Sequence, residues 1–272
     1  MSPSAVREQA YAKLNLVLRV GRPRPGGLHP ICSIFASIDL ADDVHVGPTG
    51  LGEDFVECPG VQGPNLAEQA IAAFRARVPS LPPLGVRIGK RIPVAAGLGG
   101  GSADAAAVLR AANRIAGDPL DTEELRAIAA TLGSDVPSQV EPRHALVQGT
   151  GELIEPIELP ALAAVLVPRA EGLPTAAVYA ELDRIEGWRD DLDPAGLRSW
   201  SPAALENDLQ PAALSLRPEL EGVLGDLRAR GAAGVLVSGS GPTCFGLFED
   251  RAAAEAAAAT LPGAVAAELR PG

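Results

Sequence analysis

At 272 residues, 47% of them apolar and 21% charged, the chain is long enough for one large or two ordinary domains, two being the starting expectation, and it is able to bury a core, which argues against disorder. A formal charge of −11 argues against nonspecific nucleic-acid binding, which needs clustered Lys and Arg, so no nucleic-acid partner is expected. Three scattered cysteines, Cys32, Cys58 and Cys244, include no C-x-x-C pair and indicate neither a disulfide framework nor a zinc site. The N-terminus lacks a basic segment followed by an apolar run, and no stretch reaches membrane-spanning length, so a cytoplasmic protein without a membrane partner is expected.

Residues 10–20 alternate and are rich in Val and Leu, which predicts a strand with Lys13 and Asn15 on one face. Pro and Gly make 21–30 a loop, and 31–46 reads as one or two further strands. Asn65 stands as N-cap before a helix over 66–78, and 86–94 returns as a strand. Next, a glycine run passes directly into an alanine-rich helix that Gly117 ends. A second helix starts at Asp121 or Thr122 with a capping pattern and stops at Gly133, immediately before Ser134 and Asp135. Residues 144–157 read as a hairpin, and the prolines around Pro156 and Pro160 suggest a boundary, dividing the chain into 1–158 and 159–272. Beyond it come a strand over 161–169, a helix near 175–183, the segment 205–214, a helix over 218–231, strands over 234–240 and 243–249, and a helix from Arg251. This alternation predicts an α+β sandwich.

The run Gly97, Gly99, Gly100, Gly101, Ser102 has the chemistry of a phosphate cradle. Glycine lets backbone amides approach an anion closely, and a helix starting there adds its positive end. A tight strand-to-helix turn would also use glycine, but four in five positions cost more ordering entropy than a turn requires. No Lys-Ser or Lys-Thr follows, so this is not a Walker A loop, and no acid ends a strand about twenty residues on, as a dinucleotide fingerprint needs.

The stretch Pro93-Val94-Ala95-Ala96-Gly97-Leu98-Gly99-Gly100-Gly101-Ser102-Ala103, continuing to Ala106, resembles the phosphate-loop signature of the GHMP kinases, the family of galactokinase, homoserine kinase, mevalonate kinase and phosphomevalonate kinase. Further segments extend the resemblance over about residues 10–250: Ala12–Leu16, Gly27–His29, Leu132–Pro137, Glu206–Leu209 and Ser238–Thr243. Their order is that of family members that phosphorylate the 2-hydroxyl of a cytidine diphosphate-linked methylerythritol in non-mevalonate isoprenoid synthesis. Another small-molecule kinase of the homoserine or mevalonate type, or a noncatalytic ligand sensor of the same fold, stays open as an alternative.

The resemblance implies a two-domain α+β fold: an N-terminal α/β domain like the second domain of ribosomal protein S5, then a C-terminal ferredoxin-like α/β sandwich, with the active site in a cleft. It implies ATP with Mg²⁺, and a small-molecule acceptor taken by a monomer or weak homodimer. By the same resemblance Asp135 is the catalytic base and Lys13 the catalytic cation, while residues Pro93 to Ala103 hold the nucleotide. Asn65 either contacts adenine or serves as a helix cap. Asn15 orients the acceptor hydroxyl, and His29 bonds the cytosine, with Leu28 standing where these kinases usually carry a tyrosine. Thr175 is expected to bind the substrate, and Tyr179, four residues on, either supplies an aromatic face for it or packs its own helix. The Ser238–Gly241 run resembles a motif that braces the phosphate loop. No metal ligand is assigned.

Overall fold

A computed structural model describes residues 5–61 and 63–271. In chain order its elements are β1 (Val6–Val20), β2 (Ile31–Pro48), β3 (Phe55–Glu57), α1 (Leu66–Arg77), β4 (Leu84–Gly89), α2 (Gly100–Ile115), α3 (Thr122–Ala130), α4 (Val136–Gln139), β5 (Ala145–Gly149) and β6 (Leu153–Pro156). There follow β7 (Ala163–Val167), α5 (Thr175–Arg184), β8 (Glu206–Asn207), α6 (Gln210–Leu216), α7 (Leu220–Ala229), β9 (Gly234–Val237), β10 (Cys244–Phe248), α8 (Arg251–Ala258) and β11 (Val265–Glu268). Of the described residues, those within Met1–Ala12, Leu40–Val94 and Gly99–Pro142 form one compact unit, and those within Lys13–Asp39, Ala95–Leu98 and Arg143–Gly272 form a second.

In the first unit the far half of β2 runs antiparallel to β4, with Asp43 opposite Gly89, and β3 adds in parallel on the other side of β4. Leu84, Val86 and Ile88 alternate inward along β4, as a strand with one buried face requires. The helices α1, α2 and α3 pack together, and their core joins Phe74, Ile71, Leu109, Leu125 and the alanines of α2. Small side chains let these helices approach closely, while each large one fully buried contributes about 1.5–3 kcal/mol. Asn65 Oδ1 accepts from Ala67 N at 2.9 Å, and Asp121 with Glu124 completes a capping box on α3.

In the second unit the near half of β2 pairs with β5, which turns into β6, and β8 lies parallel to β1 with Leu18 opposite Asn207. A separate antiparallel sheet has the order β11-β7-β10-β9. The helices α7 and α8 pack on it around Val165, Val167, Leu224, Leu227 and Phe248. Among the described residues no helix is long and apolar enough to cross a membrane.

The strand expected over 86–94 stops at Gly89, because Asp42 Oδ1 takes the amides of Arg91 and Ile92 at 2.5 and 2.8 Å and bends the chain out of the ladder. That bend delivers Pro93 and the glycine run to the start of α2.

Candidate active site

The loop before α2 is wound by residues of positive φ: Ala95 at 54°, Gly97 at 75° and Gly99 at 70°. Gly99 caps α2 without a side-chain hydrogen bond, so no side chain competes for the first-turn amides at this helix's positive end. Ala96, Leu98 and Ala103 are buried and hold the loop by packing, whereas Val94 and Gly101 are exposed and Pro93, Gly100 and Ser102 partly so. In the second unit, Leu98 O accepts from Lys13 N at 3.0 Å and Ser238 Oγ donates to Gly97 O at 3.0 Å.

Lys13 is 5% exposed, and its ammonium donates to Asn15 Oδ1 at 2.7 Å while lying 4.7 Å from the centroid of the Phe35 ring. The i,i+2 spacing on β1 puts both side chains on one face. Asn15 is oriented from behind: its Nδ2 donates to Ser33 Oγ at 2.9 Å, and that hydroxyl donates to Val17 O at 2.5 Å. The oxygen of the Asn15 amide is thereby turned toward the cation. Gly239 closes this group, since a Cβ there would lie 3.2 Å from Asn15 Oδ1 and 3.7 Å from Lys13 Nζ, at a φ of 56° that only glycine adopts readily.

His29 belongs to an exposed loop but turns inward, leaving the residue 8% exposed. Its Nδ1 lies 2.7 Å from Gly21 O and donates to it, a carbonyl being able only to accept, and its Nε2 faces Asp183 Oδ1 at 3.3 Å. Tyr179 stands beside it with ring centroids 5.2 Å apart, tilted by 43°. Asp183 went unmarked in the sequence, although it lies one turn beyond Tyr179 on α5 and so shares its face. Thr175 opens α5, and its hydroxyl is 3.0 Å from Ser240 Oγ. Leu28 is 65% exposed. The structure thus gathers Lys13 with Asn15, His29 with Tyr179, and Thr175 with the Ser238–Gly241 turn.

In the first unit, Asp135 is partly buried at the N-cap of α4, where its side chain makes no cap bond and its carbonyl accepts from Ser138 Oγ at 2.8 Å. Beside the start of α2 stands a group the sequence did not reveal. Lys90 Nζ lies 2.5 Å from Asp42 Oδ2 and 2.8 Å from Asp104 Oδ2, and 3.3 Å from where a Cβ on Gly100 would stand. Burial pushes Asp104 up to about 7 against the pull of the Lys90 ammonium, and its second oxygen is buried without a hydrogen-bond partner. Burial alone would lower Lys90, but the adjoining carboxylates outweigh it and raise the ammonium above its ordinary value. Among the described residues no group of three or more His, Cys, Asp or Glu side chains is placed to hold a metal ion.

The loop, the helix it starts and the separate antiparallel sheet define a GHMP kinase, and the chain belongs to that family: the model of the GHMP kinases N terminal domain matches residues 65–141, and that of the GHMP kinases C terminal matches 191–267. The 4-diphosphocytidyl-2-C-methyl-D-erythritol kinase of Anaeromyxobacter sp. (strain Fw109-5) is 44% identical over 261 residues, covering 93% of this chain and 85% of the relative. The kinase of the same name from Nocardia farcinica is 41% identical over 96% of this chain and 91% of its own length. A crystal structure of 4-(cytidine 5'-diphospho)-2C-methyl-D-erythritol kinase superposes with a TM-score of 0.84 at 37% identity, covering 98% of this chain and all of the other. Within the GHMP kinases, the chain belongs with the 4-diphosphocytidyl-2-C-methyl-D-erythritol kinases.

Proposed function

We propose that the protein transfers the γ-phosphoryl group of MgATP to the 2-hydroxyl of 4-diphosphocytidyl-2-C-methyl-D-erythritol, giving the 2-phosphate and ADP. The observation that carries this reading is identity of 44% with a kinase of that name over 93% of the chain. In the transfer, the acceptor oxygen forms a bond to the γ-phosphorus, the bond from that phosphorus to the β–γ bridging oxygen breaks, and the hydroxyl proton leaves for a base.

On this reading the backbone amides from Gly97 to Ser102 hold the phosphates at the positive end of α2, with residues Pro93 to Ala103 shaping the loop and Asn65 reaching the adenine. Lys13 neutralises charge on the phosphoryl group, Asn15 orients the acceptor hydroxyl, and Asp135 takes its proton. His29, Tyr179 and Thr175 hold the cytidine diphosphate end. With Leu28 offering no ring, Tyr179 supplies the stacking face, a contact of order 1 kcal/mol. Magnesium would come with the nucleotide rather than be held by a cluster of protein carboxylates, and would supply neutralisation of the phosphate charge. We assign residues 1–158 to the ATP-binding segment and 159–272 to the C-terminal segment. We place the reaction in the cytosol, in keeping with three cysteines that form no disulfide, and assign the working form as a monomer or weak homodimer.

A coupled ADP-release assay offering the cytidylyl substrate, mevalonate and homoserine tests the reaction. Turnover is expected with the cytidylyl substrate at a kcat/KM at least about 100-fold above the others. Preference for mevalonate or homoserine would overturn the assignment.

A further inference from the structure

The segment from Glu206 to Gln210 has no role in the reading above. Asn207 is 7% exposed and its amide is fully engaged: Nδ2 donates to Val237 O and to Gly239 O, both at 2.8 Å, and Oδ1 accepts from Leu209 N at 2.9 Å. Three residues on, Gln210 Oε1 accepts from Val237 N at 2.9 Å. Two side chains from one short stretch therefore hold the backbone of residues 237–239, where β9 runs into the Ser238–Gly241 turn.

The stretch is itself anchored to the strand that carries Lys13. Asn207 lies opposite Leu18 in the parallel pairing of β8 with β1, and Asp208 Oδ2 accepts from Val20 N at 2.9 Å and from Arg189 Nε at 2.7 Å. The turn it grips is the one that closes over Lys13 and Asn15 at Gly239 and meets the glycine loop through Ser238 Oγ on Gly97 O. Gly239 leaves no room for a side chain beside Asn15 Oδ1 and Lys13 Nζ, so a shift of this turn presses on that pair or withdraws its support, and misplacement of a reacting group by about 1 Å costs roughly 100-fold in rate.

We infer that Asn207 is a positioning residue: by gripping the Val237 and Gly239 carbonyls it sets the Ser238–Gly241 turn against Lys13 and Gly97, and so aligns the Lys13 ammonium for phosphoryl transfer. The inference rests on the proposed role of Lys13. Asn207→Asp is the sharpest variant, since it keeps the size and the acceptor for Leu209 N but replaces both donors with an oxygen facing two carbonyls. Gln210→Ala removes one grip on the same turn from a less buried site.

Steady-state kinetics are measured for Asn207→Asp, Gln210→Ala and Lys13→Met, with circular dichroism and thermal midpoints for each. Lys13→Met should lose kcat by about 1,000-fold, Asn207→Asp by roughly 30-fold and Gln210→Ala by roughly 5-fold, with KM for ATP and for the acceptor within about threefold of the parent in the last two. A purely structural role would move the thermal midpoint and the folded fraction while leaving kcat per folded molecule unchanged. The inference fails if kcat per folded molecule stays within twofold in Asn207→Asp while Lys13→Met is inactive, or if KM rises with kcat intact. If Lys13→Met turns over normally, the role of Lys13 falls and the inference with it. Should Asn207→Asp not fold, the same split in Gln210→Ala decides.

Discussion

A methyl group added at Gly97 would run into the Ser238 carbonyl oxygen and lie 2.8 Å from that of Gly241, on a backbone already at a φ of 75°. Both neighbours are main-chain atoms of one tight turn, so neither can swing aside as a flexible side chain would. Gly97→Ala is expected to lower stability by ~3 kcal/mol or more, read as a fall in urea midpoint at unchanged slope. A loss below about 1 kcal/mol would mean that the turn gives way easily. Asp135 carries the opposite kind of prediction, because an amide has the size of its carboxyl but cannot take a proton. Asp135→Asn should keep ATP affinity by calorimetry while turnover drops about 100- to 10,000-fold, and unchanged turnover would remove Asp135 from the mechanism. The pairing of Lys13 with Asn15 was legible in the sequence, since a period of two fixes which strand residues share a face. Their partners Ser33 and Gly239 were not, because only the folded chain brings residues so distant in sequence together.

Elements were readable in proportion to their length. The helices α1, α2, α3 and α7 carry enough periodic positions and end signals to be seen, and the β5–β6 hairpin has turn glycines at Gly149 and Gly151. The strand β8 is two residues long and β3 three, so neither has a period to show, and α6 is only seven residues with Pro211 in its first turn. The Lys90 group is likewise invisible in sequence, joining β2, the β4 bend and the second turn of α2, yet it makes a stability prediction for that junction. The ordinary Asp value is 3.8 and the folded value of Asp104 is about 7, so between these the folded protein holds a proton that the unfolded chain has released. Its contribution to stability is therefore complete below about pH 4 and is lost as pH rises through about 7. Glu181, which Arg184 and Ser215 hold down to about 2 from 4.5, acts at the lower edge of this window and below it, Lys90, raised from 10.5, acts above it, and His144, lowered from 6.5 by burial, acts inside it in the opposite direction. Asp104→Asn should abolish the fall in thermal midpoint between pH 4 and 7 that the parent shows from this group. Parallel curves for parent and variant would show that Asp104 does not titrate there.

The two compact units each have their own core, yet β1 passes from one to the other between Ala12 and Lys13, and β2 between Asp39 and Leu40. A sequence read in consecutive blocks has no signal for a strand shared in this way, since nothing in composition or periodicity changes at either crossing. Melting the first core would free the ladder partners of β2 from Asp43 to Pro48, and fraying from there proceeds directly toward the residues that pair with β5. Lys13 is the first residue past the crossing on β1. Cooperative loss of the whole molecule is the expected result, even though chains of this length often melt in steps. Leu109 and Leu224 are fully buried, one in each core, and truncation of either to alanine should cost about 2–5 kcal/mol. Scanning calorimetry should show a single transition that both Leu109→Ala and Leu224→Ala shift downward. Two resolved transitions, each answering to one variant alone, would show instead that the shared strands do not couple the cores.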